Sequence, residues 1–142
     1  YLFNGYWNNP DETKAAFSAG WVTVGDIARR DADGYLYIID RKKDMVLSGG
    51  LNIYPREIEN VLEQHPAIVE AAVIGVPDKK WGERLKAFVV ASDDEQIIPE
   101  QLASFVETLL AKYKVPREYQ EIKELPRNAG GKLLKAVLRE MA

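Results

Sequence analysis

Residues 68–91, IVEAAVIGVPDKKWGERLKAFVVA, decide how the rest of the chain is read. Two apolar runs rich in β-branched residues, 68–76 and 85–91, flank the polar segment 77–83, whose Pro77, Asp78 and Gly82 favour a turn. Their separation predicts a paired sheet. Upstream, Pro55 opens a helix that places Ile58, Val61 and Leu62 on one face at spacings of three and four. The same spacing turns Arg56, Glu57, Glu59, Asn60 and Glu63 toward water, and His65-Pro66 closes the helix. Downstream, Pro99 opens a second amphipathic helix with Leu102, Phe105, Val106, Leu109 and Leu110 on its core face, running to about Tyr113.

Working outward, residues 119–123 read as a short strand and a terminal helix starts near Leu134. Residues 35–40 and 45–47 read as strands on either side of a charged turn, after which Ser48-Gly49-Gly50 breaks the pattern. The order after residue 40 is then ββαββαβα, a small α+β fold with a mixed sheet and flanking helices. Before residue 40, Asn9-Pro10-Asp11-Glu12 predicts a short helix with Pro in its first turn and early acids at its positive end, stopped by Gly20.

Composition narrows the chemistry. With 142 residues, 46% of them hydrophobic and 29% charged, the chain can bury one domain-sized core but not two enzyme domains. No cysteine is present and only one histidine, His65, which removes disulfides, zinc-thiolate sites and thiol nucleophiles. The 19 Lys and Arg against 22 Asp and Glu give a net charge of -3, so the overall field does not favour nucleic acid, and any anion site must be local. No apolar run reaches the roughly 20 residues that span a bilayer, and a cytoplasmic location is the expectation. Residues 1–40 hold six acids against three bases, whereas the rest is balanced, a weak sign of a boundary near Asp40-Arg41.

Three segments are poor choices for folding alone. In Gly20-Trp21-Val22-Thr23-Val24-Gly25-Asp26 a carboxylate follows a glycine at the end of an apolar stretch. It could accept from the vicinal hydroxyls of a ribose, or cap a turn. In Asp40-Arg41-Lys42-Lys43-Asp44, followed by Ser48-Gly49-Gly50, three cations could meet phosphates and two glycines could let a ligand approach the backbone. A solvated hairpin tip would look the same. Gly130-Gly131-Lys132 could carry a mobile point charge on a flexible loop, or simply a surface lysine. It is no Walker loop, because Leu133 follows the lysine where a Ser or Thr is needed. Trp81 beside Lys79 and Lys80 could stack on a base or belong to the core.

Taken together and in this order, the segments resemble the C-terminal part of the adenylate-forming superfamily: acyl- and aryl-CoA synthetases, peptide-synthetase adenylation domains and luciferases. Gly5-Tyr6-Trp7-Asn8-Asn9-Pro10 resembles the exit from the large domain, and residues 20–26 the ribose motif. The stretch from Asp40 to Gly50, with Asn52-Ile53-Tyr54-Pro55, resembles the hinge and the start of the mobile lid, and Leu125-Pro126-Arg127-Asn128 through Lys132 the catalytic-lysine motif.

The resemblance implies that residues 1–40 end a large adenylating domain and 41–142 form a lid. Asp26 would bind the ribose of ATP or AMP, Arg41 the nucleotide, and Lys43 would be the hinge. Lys132 would bridge the substrate carboxylate and the α-phosphate. Gly49 and Gly50 would line the pantetheine tunnel, with Trp81, Tyr113 and Lys114 holding the adenine end of CoA. Val115 stands where some relatives carry a basic residue. The large domain would hold the Mg2+ and the carboxylate pocket, so the chain alone would be inactive. The implied reaction joins a carboxylic acid to CoA at the expense of ATP, with Lys132 open to a regulatory acetyltransferase. A peptide-synthetase adenylation domain, a luciferase-type oxygenase and a non-catalytic lid used as a binding or regulatory module are the competing readings.

Overall fold

The computed structural model describes residues 3–92 and 95–142. The chain divides into two compact units, Tyr1–Lys43 and Asp44–Ala142.

The first unit opens with α1 (Pro10–Ala16), whose Asn9 side chain accepts from the Glu12 N–H and whose Pro10 occupies the first turn. A two-residue hairpin follows, β1 (Phe17–Ser18) against β2 (Trp21–Val22). Its turn residues Ala19 and Gly20 both have positive φ. Strands β3 (Asp26–Arg30) and β4 (Leu36–Arg41) then pair antiparallel. Asp31 closes their turn by accepting from the N–H groups of Asp33 and Tyr35. Strand β4 therefore pairs back onto β3. No sequence signal marked β3, which carries no alternating apolar pattern.

The second unit is a five-stranded mixed sheet. Strands β5 (Val46–Ser48) and β6 (Leu51–Ile53) form a hairpin around Gly49-Gly50, so the glycines join two strands where they were expected to end one. Helix α2 (Pro55–Leu62) leads into the long ribbon β7 (Ile68–Asp78) and β8 (Gly82–Ala91). The strands run further than the apolar runs indicated, and the polar turn shrinks to residues 79–81, because Pro77↔Glu83 and Asp78↔Gly82 continue the ladder. After α3 (Pro99–Leu109), strand β9 (Glu118–Glu121) lies parallel to β8, and α4 (Lys135–Glu140) ends the chain. The sheet order is β6-β5-β8-β7, with β9 also on β8.

Both faces of the ribbon are covered. Ile58, Leu62, Val73, Ala87, Leu102 and Val106 form one core layer beneath α2 and α3. On the reverse, Ala72, Ile74, Val76 and Phe88 pack with Leu125 and with Leu138 of α4. Alternate residues of β7 thus point into opposite layers, the period-2 geometry of a strand buried on both sides.

Two local expectations need correction. Glu59 does not face water: it is 2% exposed and accepts from the Val73 N–H. Helix α3 stops at Leu109, which is exposed, and a separate 3-10 turn covers Lys112–Lys114. His65 accepts from the Ala67 N–H through Nδ1 and meets the Phe105 ring edge-on.

Strand β9 is fastened by charge. Lys86, 5% exposed, reaches Glu118 at 2.7 Å, and Arg84 reaches the other oxygen at the same distance. Lys86 first and Arg84 second hold the Glu118 carboxyl below the ordinary carboxylate range. A depressed folded-state pKa gives stability that is present above the unfolded value of about 4.3 and is lost as pH falls through the folded one. Glu118→Gln should therefore flatten the loss of stability as pH falls below about 5, measured by urea unfolding at a series of pH values. Leu138→Ala should lower the unfolding free energy by about 2–5 kcal/mol in the same assay, since it empties the anchor of α4.

Candidate functional site

The lysine segment is a hydrogen-bonded turn rather than a loose loop. Arg127 and Leu133 face each other in an isolated antiparallel bridge. Inside it, the Asn128 N–H donates to the Lys132 carbonyl at 3.0 Å, and Asn128 Oδ1 accepts from the N–H groups of Gly130 and Lys132 at 3.0 and 2.9 Å. Gly131, at φ +78°, supplies the left-handed step that closes the turn. Arg127 spans it from outside, donating to the Gly131 carbonyl at 2.9 Å and to Glu70 at 2.8 Å. The backbone of Lys132 is thus fixed while its side chain is exposed, and no acceptor among the described residues meets its ammonium. The freedom expected of a glycine loop resides in the side chain.

A second site surrounds Gly49. Gly49 and Gly50 have φ of +58° and +81°, the pair of left-handed residues that a two-residue hairpin demands. The Gly49 N–H donates to the Trp81 carbonyl at 2.9 Å, and a Cβ on Gly49 would stand 2.8 Å from Trp81 Cε3. Nothing lies within 4 Å of the corresponding point on Gly50. Asp78 fixes the turn that carries the indole by accepting from the N–H groups of Trp81 and Lys80, and these bonds hold its carboxyl below the ordinary range.

Beside Gly49 lies a recess of about 130 Å³ lined by Trp81, Arg84, Lys112, Tyr113 and Arg117, with Val115 in its wall. The Arg117 guanidinium lies 5.8 Å and the Lys80 ammonium 4.7 Å from the Trp81 ring. The structure therefore brings Gly49, Trp81 and Tyr113 together, as expected. Lys114 is not among the lining residues: it is held by both oxygens of Glu57 at 2.8 and 2.6 Å. The recess takes its cations from Arg84, Lys112 and Arg117, none of which the sequence marked. Arg117 reaches it because its N–H bonds the Leu85 carbonyl just before β9 pairs with β8, a long-range register invisible in sequence.

The two sites occupy opposite ends of one ribbon. Arg127 ties the lysine turn to Glu70 near the start of β7, whereas Gly49 bonds beyond its far end at Trp81. From Glu70 to Asp78 the strand covers roughly 26 Å at about 3.3 Å per residue.

In the first unit Asp26 and Arg41 stand opposite each other in the β3–β4 ladder, and Arg41 Nε meets the Asp26 carboxylate at 2.8 Å. The Lys42 N–H donates to the Gly25 carbonyl at 2.8 Å. A shallow recess of about 570 Å³ there is lined by Tyr6, Glu12, Thr23 and the consecutive cations Arg41, Lys42 and Lys43. Among the described residues no His, Cys, Asp or Glu cluster could hold a metal, and no helix is long and apolar enough to cross a membrane.

Comparison with known proteins agrees with this arrangement. The family model of the AMP-binding enzyme C-terminal domain matches residues 57–132. Long-chain-fatty-acid–CoA ligase FadD13 of Mycobacterium tuberculosis is 50% identical over 139 residues, which cover 98% of this chain and 27% of that protein. Among solved structures, ATP-bound MatB from Rhodopseudomonas palustris matches with a TM-score of 0.90 at 40% identity, covering 99% of this chain and 28% of that one. o-Succinylbenzoate CoA synthetase (MenE) from Bacillus subtilis, in complex with the acyl-adenylate intermediate OSB-AMP, matches at 0.88 and 41%, covering 96% and 28%. The chain thus spans little more than a quarter of the length of each relative. With a sheet, a lysine turn and a glycine hairpin of the expected kind, and a family model matched over more than half its length, this chain belongs to the AMP-binding enzyme C-terminal domain family.

Proposed function

We propose that the chain works as the C-terminal lid of an ATP-dependent acyl-CoA synthetase, completed by a large N-terminal domain, with residues 1–40 the end of that domain and 41–142 the lid. The observation that carries this reading is the placement of an exposed lysine and a glycine hairpin at opposite ends of β7–β8. One lid can offer either end to an active site, but groups held toward opposite ends of the β7–β8 ribbon cannot serve the same reacting carbon together. Two successive half-reactions fit that constraint.

In the first, the substrate carboxylate attacks the α-phosphorus of ATP and pyrophosphate leaves. Lys132 acts as a point charge between carboxylate and phosphoryl oxygens, where charge crowds in the transition state. Its backbone is already fixed by Asn128, so only the side chain remains to be ordered in the reaction. In the second, the CoA thiol attacks the mixed anhydride and AMP leaves. Gly49 and Gly50 keep side chains out of the thiol's path, while Trp81, Tyr113 and the cations Arg84, Lys112 and Arg117 suit the adenine and phosphates of CoA. The Asp26–Arg41 pair places an acceptor for the ribose hydroxyls beside a cation for the nucleotide phosphates. Lys43, last residue of the first unit, is the hinge. The Mg2+ of the reaction and the acid-binding pocket belong to the large domain. The exposed Lys132 ammonium is also open to acetylation, which would cancel its charge. We place the enzyme in the cytoplasm.

In the full-length enzyme, Lys132→Ala should abolish carboxylate-dependent pyrophosphate exchange, with a loss of at least about 100-fold, and leave thioester formation from preformed acyl-adenylate nearly intact. Full exchange in the variant would refute the assignment. Gly49→Ala should show the reverse pattern, because its Cβ meets Trp81 and strains a left-handed residue.

A further inference from the structure

Two charged side chains that the chemistry above does not use meet in the interior of the second unit. Glu59 comes from α2 on one face of the sheet, and Lys135 opens α4 on the other. Their side chains are 3% and 11% exposed, and Lys135 Nζ lies 2.6 Å from Glu59 Oε1. They meet around the outer edge of β7. There Glu59 Oε1 accepts from the Val73 N–H at 2.9 Å, and Lys135 Nζ donates to the Val73 carbonyl at 3.1 Å. The pair offers Val73 the acceptor and the donor that a neighbouring strand would supply.

A buried ion pair is a poor way to gain stability, since desolvation offsets much of the attraction. Its geometry supplies a different reason for it. Lys135 lies three residues after Lys132, and Arg127 lies five before it. Arg127 pins one end of the lysine turn to Glu70, and Lys135 pins the other to Val73 and, through Glu59, to α2. Both pins seat on β7, so the turn is held at two points of one rigid strand.

We propose that Glu59 and Lys135 are positioning residues for Lys132, a clamp that sets where its ammonium can reach; this rests on the adenylation role given above. The test uses Glu59→Gln, the charge-free double variant Glu59→Gln/Lys135→Met, and Lys135→Arg, which keeps a cation. In the 142-residue chain, amide hydrogen exchange at Lys132 should quicken by roughly tenfold or more in the first two, while Ala72 and Phe88 stay protected. Lys135→Arg should retain protection. In the full-length enzyme the same two variants should lose about tenfold to 100-fold in adenylation kcat at an unchanged KM for ATP. Thioester formation from preformed adenylate should stay within about twofold.

Unchanged exchange at Lys132 in the double variant overturns the clamp, and that variant leaves no lone buried charge to unfold the protein. Equal losses in both half-reactions reduce the pair to a structural support and overturn the positioning role. If Lys132→Ala retains pyrophosphate exchange while the clamp variants still release the Lys132 amide, the adenylation reading falls and the clamp is left without a catalytic purpose.

Discussion

Everything in the second unit depends on burying both faces of the β7–β8 ribbon. A strand buried on both sides cannot give up every second residue to water, so Ala71 and Val73 enter one layer and Ala72 and Ile74 the other. Helices must then lie on each face, α2 and α3 against one and α4 against its reverse. The connection that carries the chain to α4 crosses from β9 through residues 122–134, and the lysine turn lies on that crossing. The catalytic candidate is thus placed by the demand for a second core layer.

The same ribbon is a lever of fixed length. Its ladder continues through Asp78↔Gly82, which keeps the Trp81 turn rigidly joined to the strands. The function proposed above, in which first one end and then the other meets a reacting centre, needs such a rod, because flexibility in its middle would blur both positions. The charges around it follow suit. Glu118 neutralises Lys86 and Arg84 at the β8–β9 seam, and Glu59 neutralises Lys135 at the β7 edge, while Lys132 meets no acceptor among the described residues.

The order of elements after residue 44 was legible because each has a strong local signature: β-branched runs for β7 and β8, proline-led amphipathic helices for α2 and α3. The lysine, the glycines and Trp81 were legible as motifs. What escaped was whatever depends on pairing between distant segments. Glu59 falls on the polar side of α2 when the helix is read alone, and only the arrival of α4 on the opposite face makes an interior of its surroundings. Arg84, Lys112 and Arg117 converge because β9 joins β8 in parallel, a register that no local pattern encodes. Lys114 shares its segment with Lys112, but Glu57 of α2 captures it. Leu109 looked apolar and therefore inward, yet the helix ends there and leaves it outside.

Asn128 closes the lysine turn with one oxygen that accepts two backbone N–H bonds. An aspartate would fit the same space and accept the same two bonds, but it would set a negative charge four residues from Lys132. The amide does the mechanical task of a carboxylate without its field. The protein thereby closes the turn and keeps the full positive potential of the lysine for whatever anion approaches it.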